Sequence, residues 1–338
     1  MEARRASVAV TYQGIDITDE VSKDLLSFEY TDNASGDSDS VSLTLKDDKK
    51  IWLRDWFPEK GDIILPTIQT TNWRQKGDKQ SLPCGRFFVD EPSYEGRPGV
   101  ITLNAVASPL NSNFSSVARS KSWRNITLRA IAGDIAKRAG LQLQFMGTNN
   151  PRFVEKAQTE VSDSSFLSDL CEEEALAMKL TDSKIVIFDE REFERRKAVV
   201  TYSESNDRVI GYSFRTSLAN TKYAGVNVKY HDSSSGQTIS YLHTIGEIDE
   251  NSKIYQVNKK VRSGDEARRL AQRTLRKLNK RETIASLTLV GNVELLGGVC
   301  VNIKEFGAFT GKYYIEKATH SIGGFQTTIE ARKVLEGY

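Results

Sequence analysis

The chain has 338 residues, 38% of them hydrophobic and 27% charged, with 7 prolines and 23 glycines. That is a globular composition, long enough for two or three domains at roughly 100–200 residues each. No apolar run approaches the roughly 18–20 residues of a membrane helix. The charged start Met1-Glu2-Ala3-Arg4-Arg5 leads into an alternating strand pattern, so neither an integral membrane protein nor a secreted precursor is expected. A net charge of +2 speaks against a polycation built as a whole to hold nucleic acid.

Residues 1 to about 110 read as strands. Ser7 to Tyr12, Leu26 to Tyr30 and Val41 to Leu45 alternate, with Asp, Asn, Ser and Gly between them. Arg86 to Tyr94 and Val100 to Val106 flank Glu95-Gly96-Arg97-Pro98-Gly99, a hairpin loop by its glycines and proline. The polar stretch Thr70 to Leu82, with Trp73 and Gly77, reads as a long excursion from the sheet. Between residues 120 and 195 the period changes. Leu128, Ile131, Ala132, Ile135, Ala136 and Ala139 form a helical stripe that Thr127 can cap and Gly140 can stop. A second helix is expected from Ser162 or Asp163, with Phe166, Leu167, Leu170 and Cys171 inward. Met178 to Leu180 and Lys184 to Phe188 make a hairpin around Thr181-Asp182-Ser183. Strands return after residue 199: Val209 to Phe214, Tyr223 to Tyr230, Ile239 to Thr244 and Ile254 to Lys260. One helix interrupts them, opening on the capping box Ser263-Gly264-Asp265-Glu266 with Ala267, Leu270, Ala271, Leu275 and Leu278 on one face.

The two β-rich ends repeat each other. Gly85-Arg86-Phe87-Phe88-Val89-Asp90 sets against Gly311-Lys312-Tyr313-Tyr314-Ile315-Glu316. The offset of 226 continues without a gap to Thr102-Leu103-Asn104-Ala105 against Thr328-Ile329-Glu330-Ala331. Upstream, Ser42-Leu43-Thr44-Leu45 matches Ser286-Leu287-Thr288-Leu289. Half-buried hairpins rich in aromatic and β-branched residues look alike in general. Blocks in the same order, one running through a whole hairpin, favour two copies of one β-domain with the α/β module inserted between them.

Residues able to carry chemistry are few. Cys84, Cys171 and Cys300 lack CxxC spacing or a disulfide framework, as suits a chain made in a reducing cytoplasm. His231, His243 and His320 pair with no second His or Cys at metal-ligand spacing. Glu172-Glu173-Glu174 is the densest carboxylate cluster, but neighbours on a helix point in different directions and do not face one another as an acid/base pair. Nucleophile-elbow, zinc-helix and phosphate-loop patterns are missing. Between Lys259 and Arg281 ten bases stand against two acids, a net +8, leaving −6 for the rest. A nucleic-acid surface, a partner with an acidic face and a solvated polar face are the three readings; without interleaved aromatics the protein partner is preferred to nucleic acid.

The run Gly307-Ala308-Phe309-Thr310-Gly311-Lys312-Tyr313-Tyr314-Ile315-Glu316-Lys317-Ala318-Thr319-His320-Ser321-Ile322-Gly323-Gly324 resembles the C-terminal signature of the phage late control protein D family, which supplies the baseplate hub of contractile tails. The helix from Asp265 to Lys280 before Ala285–Leu289 and the Asp163–Glu174 segment with its following hairpin are similar to the family in their placement. Tyr12-Gln13-Gly14-Ile15-Asp16-Ile17 and the run Leu53–Asp62 resemble its prophage members. The resemblance covers nearly the whole chain, through fold signatures rather than catalytic ones.

The resemblance implies an α+β, mainly β fold: two homologous tube-type β-barrel domains, 1–112 and 199–338, the second with one amphipathic helix, flanking a small α/β module at 113–198. It also implies a homotrimeric ring that adapts a six-fold tail tube to a three-fold spike. The expected partners are the tail tube or tube-initiator protein, a separate central spike protein and other baseplate proteins. Nucleic acid is expected at most in transit, and no membrane is expected. The expected place is the baseplate of a virion, tailocin or other contractile injection particle, assembled in the bacterial host cytoplasm. No catalytic, cofactor or metal residue is expected, and Arg269, Arg273 and Arg276 are the candidate protein-contact residues. The rival readings are a carbohydrate- or receptor-binding module using Trp52, Trp56, Trp73 or Trp123, with Trp73 the one expected to be exposed, and a peptidoglycan hydrolase with paired carboxylates or a Cys–His pair.

Overall fold

In the computed structural model, which describes residues 3–107, 113–181, 183–217, 222–233 and 236–338, alternating burial builds the first β-rich region. Its elements are β1 (Arg5–Tyr12), β2 (Ile15–Asp16), α1 (Thr18–Asp24), β3 (Leu25–Asn33), β4 (Ser40–Lys46), β5 (Ile63–Thr71), β6 (Lys79–Pro83), β7 (Phe87–Glu95) and β8 (Val100–Val106). Val41, Leu43 and Leu45 on β4 and Ile101, Leu103 and Ala105 on β8 all turn inward. This is the period-2 alternation of a half-buried strand.

The middle region holds α2 (Asn113–Ser116), β9 (Ala118–Thr127), α3 (Leu128–Ala139), β10 (Gln142–Phe145), β11 (Arg152–Ser162), α4 (Asp163–Glu173), β12 (Ala177–Thr181), β13 (Lys184–Phe188) and α5 (Glu190–Glu194). Thr127 caps α3 by accepting from the Ala130 amide, and Gly140 ends it in the left-handed conformation at φ 69°. Ser162 caps α4 in the same way. Both helices pack onto the sheet β10-β13-β12 through Leu128, Ile131, Ile135, Leu167 and Leu170. Asp182, at the turn expected between β12 and β13, lies outside the described residues, as does the boundary expected at residue 112.

The last region holds β14 (Val200–Ser203), β15 (Val209–Thr216), β16 (Gly225–Asp232), β17 (Gln237–Thr244), β18 (Ile254–Val257), α6 (Gly264–Asn279), β19 (Thr283–Val290), β20 (Cys300–Lys304), β21 (Gly311–Ile322) and β22 (Gln326–Lys333). Helix α6 does not sit on the main sheet. It covers a separate sheet, β17-β16-β18, against Val226 and Val228, so residues 222–282 form a unit spliced between β15 and β19.

The repeat is a repeat of strand order. The first region runs β3-β4-β8-β7-β5 and the last runs β15-β19-β22-β21-β20. Even the irregularities coincide. The β7–β8 ladder slips between Val89 and Glu91 and the β21–β22 ladder between Ile315 and Lys317, which is the same position at the offset of 226. The β3–β4 ladder slips between Leu25 and Ser27, and β15–β19 between Val209 and Gly211. An extra residue that bends a strand is a conserved design feature rather than noise, so two matched bulges argue for duplication more strongly than shared alternation does. The copies differ at their ends, where β1 runs antiparallel to β5 and β14 parallel to β20.

The halves join into one sheet through β21 and β3, its strand order running from β15 to β2 among the described residues. One expectation changes. The Thr70–Leu82 stretch does not leave the sheet, because β6 folds back on β5 from Thr67 opposite Pro83 to Thr71 opposite Lys79. Trp73 at its tip is half-buried, donates from Nε1 to the Gly291 carbonyl at 2.7 Å, and meets the Phe325 ring at 5.2 Å. Its polar neighbours concealed a side chain that finds its partner 218 residues away. Trp56 is the exposed tryptophan.

Candidate assembly interface

The join between the halves is a ladder from Lys317 opposite Asn33 to Ile322 opposite Phe28. The Ala34 amide donates to the Glu316 carbonyl at 2.8 Å, and the Thr31 and Thr319 hydroxyls meet at 3.3 Å. His320 stacks on Tyr30 with ring centroids 5.9 Å apart, while Val293, Ile322 and Phe325 complete the apolar core begun by Phe28, Leu43 and Leu103. Gly297 lies so close to this join that a Cβ would stand 2.5 Å from the Ala34 nitrogen. Its amide instead donates to Asp32 Oδ2 at 2.7 Å.

Three polar groups are sealed in beside it. His320 is fully buried, its Nε2 2.9 Å from the Leu295 carbonyl and its Nδ1 3.1 Å from the Thr327 hydroxyl; burial pushes the imidazole down to about 4. Asp32 and Asp39 both pair with Lys179 of β12. Burial raises the Asp39 carboxyl to about 6 despite that lysine. Through Lys179 the two carboxylates tie β12 of the middle region to the join.

The basic helix explains itself locally. Ser263 Oγ accepts from the Glu266 amide at 3.2 Å, and the Glu266 carboxylate accepts from the Arg262 amide at 2.7 Å, one residue before the cap rather than at it. Its cationic face is spent largely inside the chain. On the helix Lys277 pairs with Glu172 at 2.7 Å and Arg273 with Glu174, and Lys259, ahead of it, pairs with Glu173 at 3.1 Å. The glutamate triplet, which the sequence showed to be no acid/base pair, is thus the acidic partner of the basic run. Deeper in, Arg276 reaches Glu194 at 2.6 Å, and Glu194 and Glu190 also receive Arg332, which is fully buried with its guanidinium 4.7 Å from the Tyr314 ring centroid. Burial would raise the Glu190 carboxyl, but Arg332, Lys280 and Arg276 outweigh it and hold it below its usual range.

Of the three candidate contact residues, then, Arg276 is buried, Arg273 is ion-paired, and Arg269 is exposed with no ion pair among the described residues. Arg269 lines a cleft of about 780 Å³ with Arg152, Arg191, Arg262 and Glu174. The sequence did not mark Arg332 or the three glutamates it meets, Glu190, Glu194 and Glu316. For the Asp32–Lys179 pair the available signal was an acid at an inward register, Asp32 following Phe28 and Tyr30 on β3.

Thiolate chemistry is disfavoured at all three cysteines. All three cysteines are buried, and burial pushes the thiols up, to about 12 at Cys84 and Cys171 and about 11 at Cys300. Thiols so raised are protonated at neutral pH and poor nucleophiles. Among the described residues no group of three or more His, Cys, Asp or Glu is placed to hold a metal ion.

Comparison with known proteins agrees with this geometry. A family model described as YQBQ-like matches residues 174–331. The chain is 32% identical over 163 residues to the probable baseplate hub protein of Escherichia phage P2, a match that covers 46% of this chain and 38% of that protein. The chain therefore spans less than half the length of that relative. In fold it is similar to a tail protein of Neisseria meningitidis MC58 (TM-score 0.72, 11% identity, covering 97% of this chain and 96% of the other). It is equally similar to the 43 kDa tail protein of prophage MuSo2 from Shewanella oneidensis (TM-score 0.71, 16% identity, 96% and 98%). In sequence over about half its length the chain is similar to a probable phage baseplate hub protein, and over nearly all of it the fold is that of these tail proteins.

Proposed function

We propose that the chain is the structural hub of a contractile tail's baseplate, three copies of which form a ring between a six-fold tail tube and a three-fold spike. The observation that carries the reading is the duplicated ladder. Two halves with one strand order and matched bulges give three chains six similar docking faces, while the whole keeps three-fold symmetry for the spike. The proposed division is 1–112, 113–198 and 199–338, with the unit at residues 222–282 inside the last. The role is mechanical rather than catalytic, which the buried, protonated thiols and the buried imidazole support. Assembly in the host cytoplasm, tube and spike as partners, and Arg269 as an outward protein contact belong to the same reading. Native mass and electron-microscopy class averages of the purified chain test it, with three-chain rings of six similar lobes expected. A six-chain ring, or cell-wall lysis by the pure chain, would overturn it.

A further inference from the structure

A cationic hollow lies between the middle region and the unit at residues 222–282, and the duplication does not account for it. The cleft of about 780 Å³ takes one wall from the β10–β11 loop and the start of β11, and another from α6 and the two residues before it. On α6, Glu266, Arg269, Arg273 and Arg276 recur at three and four, so they share one helix face, and all four line the cleft. The cleft also takes in Ser263, the cap at the positive end of this 16-residue helix.

The basic groups of the cleft fall into two sets. Arg191, Arg273 and Arg276 are answered within the chain, by Asp189, Glu174 and Glu194. Arg152, Arg262 and Arg269 are exposed and have no ion pair among the described residues. The two carboxylates in the wall are already committed. Glu174 holds Arg273, and Glu266 accepts from the Arg262 amide at 2.7 Å as part of the helix cap. Three guanidinium groups are thus left for an anion from outside the chain. The hollow that presents them has the size of a small-ligand site, enough for a few residues of peptide.

We propose that this cleft takes an acidic peptide, a short run of aspartate and glutamate on a partner protein, whose carboxylates are held by Arg152 on one wall and by Arg262 and Arg269 on the other. Every lysine or arginine lining the cleft is an arginine, the side chain whose planar fork meets a carboxylate through two parallel N–H donors. The rest of the wall suits a peptide better than a nucleic-acid strand. Asn149, Asn150 and Gln272 offer amide groups that can meet a peptide backbone. Neither aromatic ring of the wall is open for a base to stack on. Phe153 is half-buried with the Lys156 ammonium 5.1 Å from its centroid, and Tyr338 is half-buried with its hydroxyl accepting from Asn279. A peptide spanning the walls would add a tie between the middle region and the 222–282 unit, beside those that Glu172, Glu173 and Glu174 make.

The proposal rests on the hub reading only for the source of the peptide, another protein of the particle. The test is fluorescence-anisotropy titration of the full-length chain with a labelled, blocked Asp-Glu-Asp-Glu peptide, its Asn-Gln-Asn-Gln counterpart and a thymidine oligonucleotide of equal charge. The acidic peptide should bind at least tenfold more tightly than either. Its binding should weaken from about 0.1 M to about 1 M salt, as the Debye length falls from about 10 Å to about 3 Å. Arg152→Gln/Arg262→Gln/Arg269→Gln should cost at least tenfold. The charge-matched Lys260→Gln/Arg268→Gln/Arg281→Gln variant, three exposed bases of the same basic run outside the cleft, should stay within about twofold of the parent. Equal losses in the two variants, or no binding by the parent, would overturn the site. Tighter binding of the oligonucleotide would overturn the peptide in favour of nucleic acid. Native mass separates the two readings. A three-chain mass that ignores the peptide overturns the cleft and keeps the hub, and peptide binding by a chain that never forms a ring does the reverse.

Discussion

Hairpins β7–β8 and β21–β22 share their ladder down to the bulge: Val89 faces Ala105 as Ile315 faces Ala331, and both strands slip one residue later. Their surroundings differ. The first has an open flank beyond Val89, while the second is covered by β3 there and by α5 beneath Arg332. Equivalent positions consequently hold different chemistry. Val106 corresponds to Arg332 and Tyr94 to His320, and each polar member of these pairs sits where a neighbouring element supplies its partners. A strand's alternation sets which face a residue takes; what stands across from that face sets what the residue can be.

The largest effect should come from removing that difference at its most buried point. Arg332→Val gives β22 the residue β8 carries, and leaves Glu190 and Glu194 short of their buried cation. A loss of about 3–5 kcal/mol in denaturant unfolding is expected, the range for breaking a buried ion pair from one side. A loss below about 1 kcal/mol would mean that Arg276 and Lys280 neutralise the pair unaided, and the contrast between the hairpins would shrink to packing.

The second test uses pH. The His320 imidazole is held down at about 4 in the folded chain against an ordinary 6.5, so the unfolded chain binds a proton that the folded chain refuses. Stability from this group is complete above pH 6.5 and falls as pH drops toward 4, by about 3 kcal/mol at ~1.4 kcal/mol per unit. Asp39, raised to about 6, acts oppositely: it adds stability as pH falls from 6 toward its ordinary 3.8. The histidine's part is therefore read as a difference. His320→Gln should be less stable than the parent at pH 7 and regain about 3 kcal/mol relative to it by pH 4. Parallel pH profiles would show that the imidazole is not sealed at the join, and that His320 and Tyr94 are equivalent after all.

The smallest effect should fall where the two halves do agree. Leu26 and Ile210 are the extra residues of the matched bulges and are both about half exposed. Leu26→Ser and Ile210→Ser should each shift stability by under about 0.5 kcal/mol, as surface substitutions do. Unequal shifts in thermal or denaturant unfolding would show that one bulge is supported by something its counterpart lacks.

Much of the fold was legible because its signals are local. Thr127 and Gly140 bound α3, Ser162 opens α4 and Ser263 opens α6, since each supplies or frees backbone groups within one helical turn. The gapless offset of 226 already contained the shared bulge. Other parts were not legible. The β9–β11 ribbon is polar on much of both strands and shows no period. Trp73 sits among polar residues, and Glu174, Glu194 and Glu190, which meet Arg273, Arg276 and Arg332, lie 82–142 residues from them.

By itself the sequence determined the strand faces, the helix ends and the duplication, because these depend on side-chain periodicity and on hydrogen bonds between near neighbours in the chain. Only the tertiary structure decided that the halves merge through β3 and β21, and that the basic helix is answered by Glu172, Glu173 and Glu174. Edge pairing and ion pairing depend on which surfaces meet, and backbone amides and carbonyls along a strand edge are the same whatever the side chains. No local pattern records which edge will be covered.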